Sequence, residues 1–365
     1  MTSADQAETA TAGGAVIDHG WIRDNLGWVL NGDEPITIQS ISLTGGVMGS
    51  VHRIRCGDRS FILKGPPDTA TAWGSLAATA QSIEREAQLY RYLDQRGFGA
   101  PKVAPDCYWS VTDAAGGGTV ALEDLGPSGD PAAAMAAGLD HAQALAAVRC
   151  LARLHAGSMR TGPGRLEVPY PWLYTAESPE LVAAVRLGLA DLPDTVTRCW
   201  PGMDVRPVLD LDVAGLLGDA HRSSRLAALC HGDAWVANVV FQQHPGAPDG
   251  LTAHLIDWQY AMWGNPLSDV ALLLWSSLDP RCRRAWQDEL VRRYHSELVI
   301  VAGLDYPLQA CLDDLKRAQP AAALVALASV EAYVAGMGPA EHERFRPRAL
   351  DALDYASAMT GQAAR

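Results

Sequence analysis

His231-Gly232-Asp233 is followed by Asn238, five positions after the aspartate, and by Asp257 at the end of an apolar run. In that order the residues offer what phosphoryl transfer needs. Asp233 supplies a carboxylate that can orient a hydroxyl and accept its proton. Asn238 and Asp257 supply hard oxygen ligands of the kind Mg²⁺ prefers. A polar turn between strands would also be rich in Asp and Asn, but it does not explain the ordered set. A metal-dependent hydrolase built on His231 and Asp233 would need further clustered histidines, which this stretch lacks.

Lys64 is the second anchor, ending the apolar strand Phe61-Ile62-Leu63. A lysine so placed can bind nucleotide phosphates when a helix glutamate holds it. Glu86 is its natural partner and Glu84, on another helical face, the lesser one. The lysine reads as serving charge placement rather than packing. Upstream, Gly45, Gly46 and Gly49 lie between two predicted strands, where glycine lets backbone N–H groups approach phosphate oxygens. Their spacing is not G-x-G-x-x-G, and the cluster is also compatible with a plain hairpin turn. Leu122-Glu123-Asp124-Leu125 marks a boundary at which backbone groups around Glu123 and Leu125 could read a nucleotide base. His155 lies on an apolar helical stripe and reads as a core histidine. His231 is expected to shape its loop by hydrogen bonding. Asp269 is expected to cap a helix and brace that loop, and Trp235, inside the loop, to touch substrate.

These residues need two kinds of scaffold. From Ile36 to about Leu125 the pattern is short strands with one helix. Ser50–Cys56 and Phe61–Lys64 flank a Gly57-Asp58 turn, Ile83–Leu93 reads as a helix, and strands follow at Cys107–Thr112 and Thr119–Leu122. After Gly126-Pro127 the chain turns to Ala- and Leu-rich helices from about Asp140, with Leu145, Val148, Ala152 and His155 on one face. A β island interrupts them: Leu226–Cys230, then a hairpin of Val239–Gln242 with Ala253–Ile256. Helices resume after Asn265-Pro266. The stretch from Thr161 to Asp219 carries no clear periodicity. The division expected is a disordered tail over 1–17, a β-rich lobe over 18–125 that binds nucleotide, and a helical lobe over 126–365 that holds the catalytic loop and the substrate site.

Composition narrows the partners. The chain has 365 residues and a net charge of −13, which repels phosphate backbones and makes nucleic acid an unsuitable partner. Such a charge suits a cationic small molecule. Seven cysteines without a C-x-x-C pair fit reduced thiols in a cytoplasm. No apolar run reaches the roughly 20 residues of a membrane span. Three lysines stand against 26 arginines, the skew of a GC-rich genome.

The sequence resembles the aminoglycoside phosphotransferase and choline kinase superfamily, nearest to its ecdysteroid-kinase-like (choline-kinase-like) branch. His231-Gly232-Asp233-Ala234-Trp235 with Asn238 and Ile256-Asp257-Trp258-Gln259 carry the resemblance; Gly264-Asn265-Pro266 with Asp269, Lys64, the Glu86-to-Tyr90 spacing and Leu122–Leu125 support it. It spans roughly residues 40 to 275. It implies an α+β, two-lobed protein-kinase-like fold and a kinase that moves the γ-phosphate of ATP or GTP, with Mg²⁺, to a hydroxyl of a small molecule. Carried over, Asp233 becomes the base, Asn238 and Asp257 the metal ligands, and Lys64 with Glu86 the phosphate-binding pair. Trp258-Gln259 stand where protein kinases have Phe-Gly, so a protein substrate is not expected. The leading acceptor class is an antibiotic or other secondary metabolite; a cationic or amino metabolite is the alternative. A different class, a catalytically silent nucleotide-binding pseudokinase, is disfavoured by the retention of Asp233, Asn238, Asp257 and Lys64.

Overall fold

The computed structural model describes residues 10–12, 15–30, 34–41, 50–66, 72–79, 81–96, 102–112, 118–126 and 131–363. The fold is α+β, and the chain divides into two compact units, Met1–Gly97 with Pro105–Gly126 and Phe98–Ala104 with Pro127–Arg365.

The first unit opens with a short antiparallel pair, β1 (Ala10–Ala12) and β2 (Ala15–Ile17), within the segment where the composition suggests a disordered tail. Helix α1 (His19–Leu30) follows and is unanticipated, although Ile22, Leu26 and Leu30 recur every four residues and Asp18 accepts a hydrogen bond from Trp21 N at 2.8 Å. Strands β3 (Ile36–Ser40), β4 (Val51–Cys56), β5 (Arg59–Lys64), β6 (Cys107–Thr112) and β7 (Gly118–Glu123) form one antiparallel sheet in the order β3-β4-β5-β7-β6. Helices α2 (Ala72–Thr79) and α3 (Ser82–Arg96) lie between β5 and β6 in the chain.

Strand alternation decides what each face carries. Phe61 and Leu63 join Ile22, Leu26, Leu30 and Ile54 in the core under α1. Lys64, at the opposite parity, turns to the other face and meets α3. The sheet therefore separates an apolar side from a charged one within a single six-residue strand.

The second unit is built from α4 (Pro131–Ala137), α5 (His141–Ala156), α6 (Pro179–Cys199), α7 (Arg206–Leu209), α8 (Val213–Arg222), α9 (Leu267–Ser277), α10 (Pro280–Ala302), α11 (Leu308–Ala328), α12 (Val330–Val334) and α13 (Pro339–Ala363). Asp140 and Gln143 form a capping box that starts α5, and Gly303 in the left-handed region ends α10. Three helices run through interior prolines, Pro193, Pro320 and Pro347, and Pro193 falls within the 161–219 stretch whose periodicity is unclear in the sequence. Packing overrides the local preference: Gly188 of α6 lies so close to the Ala328 carbonyl of α11 that a Cβ would overlap it.

Between α8 and α9 lie β8 (Ala228–Cys230), β9 (Val239–Gln243), β10 (Leu251–Leu255) and β11 (Met262–Gly264). The β9–β10 hairpin appears as read, paired from Val239–Leu255 to Gln243–Leu251. The β8–β11 pairing was not foreseen, because β11 is three residues long and its paired residues lie 32 to 36 positions away. Residues 98–104 group with this unit, where the Val103 carbonyl accepts from Leu255 N at 2.7 Å. Among the described residues no helix is long and apolar enough to cross a membrane.

Candidate active site

The β9–β10 hairpin fixes the spacing of two sequence-predicted residues. Asn238 directly precedes β9, Asp257 stands two residues after β10, and Ile256 N donates to the Asn238 carbonyl at 3.0 Å, closing the open end. Asp257 takes a left-handed conformation with φ 62°, which a non-glycine residue adopts only when its surroundings impose it. The following Trp258 is fully buried, and its Nε1 donates to the Leu255 carbonyl at 3.1 Å.

Asp233 is brought to Asn238 by a short turn over Val236–Asn238. The Asn238 amide nitrogen donates to the Asp233 carboxylate at 2.9 Å and to its backbone carbonyl at 3.0 Å. That leaves the Asn238 side-chain oxygen as the end able to face a cation. Burial pushes the Asp233 carboxyl up to about 7, the nearby Asp257 charge adds to this, and hydrogen bonds from Asn238 and the Trp235 side chain oppose it. Two carboxylates that repel one another, beside an amide oxygen, form a hard oxygen set that suits Mg²⁺.

The loop is held from beneath. Gly232 has φ 81°, and an added Cβ would overlap the Tyr260 carbonyl, so glycine is required there. Asp269 accepts from His231 N at 2.6 Å and from Gly232 N at 2.9 Å. Burial works to raise the Asp269 pKa, but the hydrogen bond and charge of His155 and the loop donors outweigh it, and the carboxyl stays below its ordinary value. The expectation that Asp269 caps a helix needs correction. It lies inside the first turn of α9, whose N-cap is Pro266; just upstream the Asn265 side chain accepts from Leu267 N at 2.9 Å. His231 is buried and burial lowers its pKa; its Nε2 contacts the Ile256 carbonyl at 2.9 Å and its Nδ1 accepts from Asp233 N at 3.3 Å. Those partners define a neutral ring that shapes the loop. Trp235, anticipated at the substrate, is buried against Tyr333 with ring centroids 4.0 Å apart.

His155, Cys230 and Asp269 place ligand atoms within 4.8 Å of one another. Their lone pairs are already engaged: Asp269 by three N–H groups, and His155 by Tyr294 at Nδ1 and Asp269 at Nε2. Burial raises the Cys230 thiol well above its usual range, so it keeps its proton. This is a hydrogen-bonded cluster rather than a second metal site.

In the β-rich unit, Lys64 Nζ lies 2.7 Å from Glu86 Oε2, with side-chain exposures of 9% and 0%. Glu84 instead meets Gln88 of its own helix at 3.2 Å. Glu123 ends β7, and its carboxylate accepts from Asp106 N at 3.1 Å; Leu125 follows. Arg53 was missed. Its guanidinium grips Asp124 at 2.8 and 3.1 Å and also donates to the Gly126 carbonyl at 3.2 Å, which fixes the backbone course around Leu125. Ser277, whose Oγ accepts from Val236 N at 2.9 Å, and Tyr294 were missed too. These contacts join residues 41 to 139 positions apart, a distance at which periodicity is silent. Gly45, Gly46 and Gly49 lie outside the described residues.

A curated relative from Caenorhabditis elegans, the uncharacterized oxidoreductase dhs-27, is 22% identical over 313 residues, 76% of this chain and 37% of that protein. The chain thus spans little more than a third of that relative, whose name describes the longer protein. Among solved structures, the GDP complex of aminoglycoside 2'-phosphotransferase-IIIa is 14% identical, covering 92% of this chain and 96% of that one, with a TM-score of 0.47. The microcompartment-associated aminopropanol kinase is 14% identical over 90% and 92%, with a TM-score of 0.45. The streptomycin–ATP complex of APH(2")-IIa is 14% identical over 90% and 98%, with a TM-score of 0.44. What these proteins bind is a property of theirs. Residues 210–303, which contain Asp233, Asn238, Asp257 and Asp269, match the ecdysteroid kinase-like family, the branch to which the motifs themselves point.

Proposed function

We propose that this protein is a kinase that moves the γ-phosphate of ATP or GTP onto a hydroxyl of a small molecule. The observation that carries the reading is the Asp233 carboxylate, fixed by the Asn238 amide at 2.9 Å and close enough to Asp257 to feel its charge. Asp233 orients the acceptor hydroxyl and takes its proton as the oxygen attacks phosphorus. A carboxyl held near pKa 7 is matched to that task at neutral pH. Asn238 and Asp257 would hold Mg²⁺, which when bound neutralises charge on the phosphates. Lys64, locked by Glu86, would bind the nucleotide phosphates, with Glu123 and Leu125 at the base and Gly45, Gly46 and Gly49 over the phosphates.

An antibiotic or other secondary metabolite is the acceptor class we favour, in a cytoplasmic setting; a cationic or amino metabolite is the second reading, favoured by the net charge of −13. A phosphate-transfer screen with Mg·ATP and Mg·GTP against antibiotic, amino-alcohol and sugar libraries tests the activity. Asp233→Asn should lower kcat by about 10²–10⁴-fold while nucleotide affinity stays near wild type. A variant retaining more than about a tenth of wild-type kcat would remove Asp233 from the role of base.

A further inference from the structure

Asp269 holds the catalytic loop, and what holds Asp269 lies outside the site. His155 of α5 contacts Asp269 Oδ2 through Nε2 at 3.1 Å. Its other ring nitrogen, Nδ1, lies 2.8 Å from the hydroxyl of Tyr294, on α10. All three side chains are essentially sealed from solvent, with relative exposures of 0% for His155 and Tyr294 and 1% for Asp269. The ring planes of His155 and Tyr294 meet edge-on at 66°, which keeps the phenol in line with the imidazole edge.

We propose that Tyr294 and His155 are positioning residues, a buried Tyr–His–Asp relay that keeps Asp269 oriented as the acceptor for the loop that carries Asp233. The proton inventory supports this. Burial raises the Tyr294 phenol well above its ordinary value, so it stays an O–H donor. Among the described residues His155 Nδ1 is the polar partner of that hydroxyl. A nitrogen that accepts from Tyr294 carries no proton, so a neutral His155 must bear its proton on Nε2, aimed at Asp269. Asp269 Oδ2 then receives His155 and His231 N, while Oδ1 receives Gly232 N. The carboxylate cannot rotate without leaving a buried donor unpaired, and the adjacent Gly232 has no conformational latitude because of the Tyr260 carbonyl. The register of the loop is thereby keyed to the packing of α5 against α10, elements that supply no group to the chemistry.

The catalytic half of this inference rests on Asp233 being the base; the tautomer half does not. The protein labelled with ¹⁵N-histidine should show His155, assigned by its loss in His155→Gln, as the neutral Nε2–H tautomer. Tyr294→Phe should shift or mix that signal. An Nδ1–H tautomer or an imidazolium in the wild type overturns the proposal, as does a spectrum unmoved by Tyr294→Phe. Hydrogen exchange at His231 N and Gly232 N should quicken by about 10- to 100-fold in His155→Leu, the size of one buried hydrogen bond. In His155→Gln, whose amide nitrogen can replace Nε2–H, protection should largely return. Equal exchange in Leu and Gln variants would reduce His155 to a packing residue. In the transfer assay His155→Leu should lower kcat by about the same factor with nucleotide KM little changed. If the tautomer and exchange results hold while the wild type transfers no phosphate, the kinase reading fails and the relay stands.

Discussion

The amide nitrogen of Asn238 donates to the carboxylate of Asp233 at 2.9 Å, so one candidate metal ligand also orients the candidate base. Such coupling makes the two roles separable only by substitution chemistry. Removing the carboxylate at 233 and removing a ligand at 257 should leave different signatures.

Asp257→Ala removes an oxygen donor and one of two repelling carboxylates. Nucleotide affinity in the presence of Mg²⁺ should fall by about tenfold or more, and the Mg²⁺ concentration giving half-maximal turnover should rise in step. Titration of nucleotide with and without Mg²⁺ reads both. Unchanged affinity and Mg²⁺ dependence would move the metal elsewhere.

Lys64 reads from sequence as serving charge placement rather than packing, and its burial against Glu86 adds a structural part to that role. Its ammonium neutralises Glu86, which is wholly buried. Lys64→Ala should therefore destabilise the protein by about 3–5 kcal/mol, because it strands a carboxylate in the interior. Pairing Lys64→Met with Glu86→Leu should recover most of that loss without recovering activity. Lys64→Arg should rescue turnover poorly, since a planar guanidinium does not replace a compact ammonium. Urea melts and steady-state kinetics on the same proteins give both answers.

Metal-free protein should show a pH signature from Asp233. Its folded pKa of about 7 stands above the ordinary 3.8, so the fold favours the protonated form. The stability contributed by that group is complete below about pH 4 and is lost as pH rises through about 7. Asp233→Asn has no such loss. In EDTA the melting temperature of the variant should gain on the wild type between about pH 4 and pH 7 and level off above that, each unit in that window shifting the unfolding equilibrium by up to about tenfold. A gap that stays constant with pH would show a carboxyl ionising at its ordinary value.

Gly232→Ala tests the strain at the loop. The residue must hold φ 81° beside the Tyr260 carbonyl, where a methyl group does not fit. The left-handed conformation alone costs about 1–2 kcal/mol, and relief of the overlap must displace Asp233. Turnover should fall by about 10²-fold or more with a lower melting temperature. Wild-type kcat in a folded Gly232→Ala protein would show that the loop has room to spare.

Sequence by itself determined the parts whose signals are local. The hairpin around Gly57-Asp58, the helix carrying Glu86 and the β9–β10 hairpin follow from alternation, turn residues and 3.6-residue periodicity, and the observed ends differ from the readings by up to about three residues in either direction. The candidate chemistry at Asp233, Asn238 and Asp257 was legible for the same reason: all three lie within 25 residues around a single hairpin. Elements with broken periodicity were not legible, as α6 shows with Pro193 in its interior.

Tertiary structure alone decided how those groups are held. Nothing in the spacing of Arg53 and Asp124, or of His155, Asp269 and Tyr294, announces a hydrogen bond across 71 to 139 residues. Polar groups so far apart in the chain meet only because burying the apolar faces of their helices and strands brings them together. Once buried, each must find a partner or carry the cost of an unmet hydrogen bond. The candidate site side chains are written in the local sequence, and the side chains that hold them are selected by packing.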